Sequence, residues 1–169
     1  MKYKNLLLLM LPLACFSCNG QNNQQRFVKQ EKIDQTPSEL YGMPKMINSI
    51  DTSAGFNLTG QKLLLTGTVF KVDGKTPAPN VVIYYYQTNT KGAYEHKADE
   101  PRSIPPNSEG QTHGYIRGWV KTDKDGKYAI YTIRPAAYAT QDSPAHIHPI
   151  IIEPNRNESY YIDDFVFDD

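Results

Sequence analysis

Beyond residue 18 the 169-residue chain has no cysteine, because both thiols, Cys15 and Cys18, lie near its start; no structural disulfide is available to the rest. It has no excess of either charge either. Lys and Arg number 18 and Asp and Glu number 18, so the polycationic surface that nucleic-acid binding needs is missing. No apolar run is long enough for a stable membrane span, since Leu6 to Leu13 is short and broken by Pro12. Nor is there an amphipathic helical pattern of any length. Hydrophobic residues at 39% and charged ones at 21% are ordinary for a globular domain. What the chain does have is 12 Pro, 11 Gly and 12 Tyr, a composition of short strands and many turns.

Lys2 and Lys4 followed by the run Leu6 to Leu13 form a secretory address. With Cys15 and Cys18 at its end and Asn19 to Gln25 polar behind it, the segment resembles a bacterial lipoprotein signal. In such signals, cleavage occurs just before a cysteine that becomes lipid-modified. Cys18, after Ser17, is the expected lipidation site, Cys15 the alternative, and a plain secretory peptide the simpler reading. Residues 1–17 are thus expected as signal peptide and residues 18–60 as polar tether, with Glu39 to Ile50 a segment that packs on the domain as a short helix or an edge. Cleavage before Cys18 removes Lys2 and Lys4 and leaves a slightly acidic chain. Attachment to a membrane of the cell envelope then comes from lipid and not from charge.

From Lys62 the texture is β. Leu63 to Phe70, Asn80 to Gln87, Tyr115 to Thr122, Lys127 to Ile133, His146 to Ile152 and Tyr160 to Phe167 read as strands. Asp73-Gly74 is a turn, Asp123 to Gly126 reads as the turn of a hairpin, and Thr88 to Gly114, with Pro101, Pro105 and Pro106, reads as a long surface loop. The expectation is an all-β, single-domain β-sandwich over residues 61–169.

His146 and His148, two apart in a strand, point to one face and can reach one ion together. On spacing alone, two histidines on a solvated sheet face are the more ordinary reading. The flanking text adds more: Gly67-Thr68-Val69, Pro77 to Val82, Gly92 to Lys97, Arg117-Gly118, Thr122 to Tyr128, Thr132 to Tyr138 and Pro144-Ala145-His146-Ile147-His148. In order and texture this series resembles the intradiol ring-cleavage dioxygenases, of the protocatechuate 3,4-dioxygenase and catechol 1,2-dioxygenase kind. The resemblance implies a non-haem Fe(III) held by Tyr94, Tyr138, His146 and His148, with Tyr138 and His148 axial and Tyr94 and His146 equatorial. It implies a catechol-type substrate cleaved with O2 to a muconate-type diacid, Tyr138 being the ligand released to take a substrate proton. Phenolates are hard anionic donors suited to a trivalent ion, and a strong Lewis acid is what removes a proton of pKa about 10 at neutral pH. Family members often associate, so an oligomer is compatible with the resemblance.

Ser143 departs from the pattern, standing where the family usually carries an arginine. A cation over the reacting ring must then come from Arg102, Arg117 or Arg134. The loop from Tyr138 to His146 is also shorter than in the family. The same strand pattern resembles small prealbumin-like sandwich domains, which gives the alternative of an envelope binding module that is non-catalytic, or holds iron without turnover. Other features read plainly: Asp123 to Gly126 as a turn and not a calcium loop, Tyr84 to Tyr86 as a strand packed on one side, Trp119 as core, His96 and His113 as loop residues, and the acidic end as a solvated tail or edge.

Overall fold

The computed structural model describes residues 20–156 and 158–168, so the signal segment 1–17 and both Cys15 and Cys18 lie outside the described residues. A helix, α1 (Gly20–Gln35), precedes eight strands: β1 (Ile50–Thr52), β2 (Lys62–Thr68), β3 (Val82–Gln87), β4 (Arg117–Lys121), β5 (Lys127–Ile133), β6 (Ala145–Ile152), β7 (Ser159–Tyr161) and β8 (Phe165–Phe167). One sheet has the order β1-β5-β2, with β1 parallel and β2 antiparallel to β5. The other has the order β4-β3-β6-β7, with β8 also on β6. Val81, Ile83, Tyr85, Val120, Tyr128, Ile130, Ile147 and Ile151 close the space between the two sheets. The result is the expected all-β sandwich, and the expected last strand is divided in two by Ile162 to Asp164.

Three features differ from the sequence reading. Residues 20–35 are helical. Gln, Lys, Arg and Glu are good helix formers, and Gln30–Asp34 and Gln35–Glu31 side-chain bonds support the turns, while Ile33 is buried. Residues 37–60 are packed, not only the Glu39 to Ile50 segment for which packing was expected, so the domain begins before residue 61. Asn48 O accepts from Lys121 N, Ser49 O accepts from Ala129 N, and β1 then runs beside β5 from Ile50 opposite Ala129. The third difference follows. The turn at Asp123 to Gly126 is present, held by Asp123 Oδ1 accepting from Asp125 N and Lys127 N, yet it is no hairpin: β4 and β5 belong to different sheets, and residues 48–52 occupy the edge where β4 would pair.

The three tyrosines of β3 are buried on both faces, not on one. Tyr85 faces the inter-sheet core, while Tyr84 and Tyr86 pack with Trp119 and Ile150 on the other face, joined by Ile47 and Tyr94. Arg117 explains how that outer face is covered. It is fully buried and gives its protons to Arg102 O at 2.6 Å, Ser38 O at 2.8 Å, Tyr84 Oη at 3.2 Å and Tyr41 O, with its plane over Trp119. Trp119 Nε1 donates to Glu39 O at 2.7 Å. Two side chains of β4 thus donate to the carbonyls of Ser38, Glu39 and Tyr41 and lay that segment over the sheet. Nearby, Arg102 forks onto Asp51 at 2.8 Å through both nitrogens, tying the long loop to β1.

Candidate metal centre

β6 carries Ala145, Ile147 and Ile151 inward, so the two-residue period sends His146 and His148 to the outer face, where His148 lies opposite Tyr86 of β3. Tyr94 and Tyr138 come from irregular chain and reach the same spot because both segments are tied to the end of β3. Thr88 Oγ1 donates to Ala136 O at 2.6 Å, and Asn89 O accepts from Gly92 N and Ala136 N. Gly92 has φ +74°, and a methyl there would overlap the Ala137 carbonyl oxygen, so this glycine permits the Tyr94 loop to close on the Tyr138 segment.

The four side chains converge. Tyr94 Oη and Tyr138 Oη are 2.7 Å apart, Tyr138 Oη is 2.8 Å from His148 Nε2 and 3.2 Å from His146 Nε2, and the two Nε2 atoms are 3.1 Å apart. The outer ring nitrogens are already used: His146 Nδ1 is 2.7 Å from Pro144 O, and His148 Nδ1 is 2.7 Å from Asp164 Oδ1. Both acceptors lack protons, so each Nδ1 carries the hydrogen and each neutral ring turns a lone pair inward at Nε2. Tyr138 has one proton for two such lone pairs. Burial, followed by the bond to Tyr138, pushes the Tyr94 phenol well above the ordinary tyrosine range, and burial lowers His148 against the opposing effect of Asp164. An electron-rich cluster of two oxygens and two nitrogens facing inward is what a cation requires, and two phenols among the donors fit a hard one.

The wall behind the cluster is aromatic. Tyr86 stacks on His148 with centroids 4.6 Å apart, and His113 stacks on Tyr86 at 3.7 Å. Arg117 can only donate to Tyr84 Oη, so Tyr84 donates to His113 Nδ1 at 2.9 Å and the imidazole is held neutral. Burial, then the Arg117 charge, lowers His113 to about 4. Because its folded pKa is below its unfolded value, His113 costs no stability above pH 6.5 and subtracts about 3 kcal/mol as the pH falls to 4. Urea titrations at pH 7 and 4.5 measure this, and His113→Gln is expected to flatten the slope by about one proton.

Of the arginines expected to supply a cation, Arg102 and Arg117 are engaged with Asp51 and with carbonyls, and Arg134 lies over the Phe167 ring at 5.6 Å. Ser143 Oγ is buried with no hydrogen-bond partner. His96 is exposed, with Nδ1 at 2.8 Å from Ser103 Oγ, and has no place in the cluster. Asp164, by contrast, was missed by the reading of an acidic tail. Its signal is the sheet register: Phe165 opposite Ile147 sets residue 164 opposite His148.

A family model described as dioxygenase matches residues 44–161. The chain belongs to the intradiol ring-cleavage dioxygenase family. It is 33% identical over 128 residues to a catechol 1,2-dioxygenase of Acinetobacter baylyi, covering 66% of this chain and 38% of that one. It is 34% identical over 98 residues to the protocatechuate 3,4-dioxygenase beta chain of Burkholderia cepacia, covering 57% of this chain and 37% of that one. The dioxygenase-family domain therefore spans under two fifths of the length of these relatives. A solved 3-chlorocatechol 1,2-dioxygenase of Rhodococcus opacus shares the fold at a TM-score of 0.53 and 19% identity, covering 88% of this chain and 68% of that one.

Proposed function

We propose that Tyr94, Tyr138, His146 and His148 hold a non-haem ferric ion, and that a catechol-type diol is cleaved there with O2 to a muconate-type diacid. The observation that carries this is the convergence of two phenol oxygens and two imidazole lone pairs within 3.2 Å, in a chain of this family. When bound, the ion supplies Lewis acidity that draws off the phenol protons and favours the diol as its dianion. The protein does the rest. Pro144 O and Asp164 fix both imidazoles with Nε2 inward, and Tyr86 shields one side of His148 from water. Tyr138 Oη, adjacent to three of the cluster's polar atoms, is the group set to take a diol proton. Residues 139–142, which follow Tyr138, are exposed.

Oxygen uptake by iron-loaded protein over a panel including catechol and protocatechuate tests the reading. Uptake with consumption of one diol supports it, and none across the panel removes the enzyme. A second reading, iron held without turnover, is favoured by one observation: neutral, unpartnered Ser143 where a cation would stabilise charge on the ring. It gives colour without uptake.

We further propose that Cys18 carries lipid and holds the domain at a bacterial envelope membrane; the basic start, the short apolar run and the polar residues directly after Cys18 support this. No helix among the described residues is long and apolar enough to cross a membrane. Cys18→Ser is expected to move the protein from the membrane to the soluble fraction while Cys15→Ser leaves it in place. An unmoved Cys18→Ser protein would contradict lipid attachment there.

A further inference from the structure

We infer that Asp164 is a positioning residue, whose carboxylate holds His148 as its Nδ1–H tautomer and sets a negative charge directly behind the imidazole that faces the metal. The inference rests on the reading of the cluster as an iron centre. His148 Nε2 is 2.8 Å from Tyr138 Oη and 3.1 Å from His146 Nε2, while Nδ1, on the far side, is 2.7 Å from Asp164 Oδ1. His146, His148 and Asp164 have donor atoms within 4.8 Å of one another, which resembles a two-histidine, one-carboxylate metal site. The nitrogens decide against it. His148 meets Asp164 through the nitrogen opposite the one it shares with Tyr138 and His146, so Asp164 lies outside the donor set and acts through the ring.

The two histidines are therefore unequal. His146 Nδ1 donates to a neutral carbonyl, Pro144 O, whereas His148 Nδ1 donates to a carboxylate. A charge-assisted bond of this kind gives the ring partial imidazolate character and makes Nε2 the stronger donor. Its charge also balances the positive charge that two phenolates leave on a trivalent ion, and so favours the ferric state over the ferrous. The placement is built into the sheet: β8 pairs with β6 from Phe165 opposite Ile147, which brings residue 164 to His148. The His148 side chain is 16% exposed and that of Asp164 35%, so the bond sits at the edge of the site, partly shielded from water.

Asp164→Asn and Asp164→Ala separate charge from hydrogen bond, because the amide oxygen still accepts from Nδ1–H. In iron-free protein, nitrogen NMR of the imidazoles is expected to show His148 as Nδ1–H in the wild type and in Asp164→Asn, with the Nε2–H form gaining in Asp164→Ala. With iron, chelator competition is expected to show binding weakened about 10-fold in Asp164→Asn and up to about 100-fold in Asp164→Ala. In both, the tyrosinate-to-iron absorption band is expected to move to longer wavelength, since a less electron-rich ion accepts charge more readily. The iron-free variants are expected to melt within about 2 °C of wild type, as surface substitutions do. An unchanged tautomer, band and affinity in Asp164→Ala would overturn the inference, as would weaker binding accompanied by loss of the iron-free fold. A wild-type chain that takes up no iron overturns the iron reading, and the tautomer of His148 in Asp164→Ala then decides separately whether Asp164 sets its proton.

Discussion

Tyr138→Phe is expected to keep the fold and lose about 10²- to 10⁴-fold in oxygen uptake per bound iron, the range for removing a positioned proton acceptor. The reason is where the hydroxyl lies. Tyr138 Oη is within 3.2 Å of Tyr94 Oη and of both Nε2 atoms, so no other single atom touches the whole cluster. The ring itself is half-buried and packs on Tyr94 and His146, contacts that phenylalanine preserves. Iron binding weakens too, because one of four donors is gone, and the visible band shifts as only Tyr94 remains to supply charge transfer. Rates normalised to bound iron separate the two effects. Activity within tenfold of wild type at equal iron would mean that another group takes the substrate proton.

Arg117→Met has the largest expected effect on stability, a loss of about 3 kcal/mol, or about 6–12 °C in melting temperature. The guanidinium is fully buried and meets the carbonyls of Ser38, Tyr41 and Arg102 together with Tyr84 Oη, all uncharged acceptors. Methionine fills much of the volume and removes a buried charge, which recovers part of the desolvation cost. It leaves the carbonyls without donors, however, and each costs about 1–3 kcal/mol while it stays buried. Residues 38–41 then lift from the sheet, and limited proteolysis is expected to cut there before the domain melts. A variant melting within about 2 °C of wild type, with no new cleavage, would show that the segment is held by other contacts.

What was legible in the sequence followed local rules, and what was not depended on backbone groups or distant pairing. The two-residue period of His146 and His148 was readable because a strand alternates its faces wherever it lies. Tyr94 was readable only through family resemblance, since its route to the site passes through irregular chain fastened by Thr88 and Asn89. Residues 37–60 read as tether apart from Glu39 to Ile50, and how that segment packs was not readable, because its part in the fold is played by carbonyls of Ser38, Glu39, Tyr41, Asn48 and Ser49, and a carbonyl has the same signature in every residue. Composition therefore placed the boundary at the first apolar run, Leu63 to Leu65, although Asp51 and the strand that carries it, β1, were already inside the domain. The turn at Asp123 to Gly126 was recognised from its own bonds, but whether β4 and β5 pair depends on which strand takes the edge, and residues 48–52 take it. Asp164 was hidden for the same reason: its importance comes from the register of β8 on β6, not from its neighbours in sequence.

The central claim is that Tyr94, Tyr138, His146 and His148 form a ferric centre. Metal analysis together with the visible spectrum of the purified protein, supplied with iron, tests it most directly. The account predicts close to one iron per chain and a red to burgundy tyrosinate band that weakens in Tyr94→Phe and Tyr138→Phe. A folded, colourless protein that binds no iron and melts at the same temperature with or without it would contradict the account and leave a β-sandwich of this family that works as a binding module.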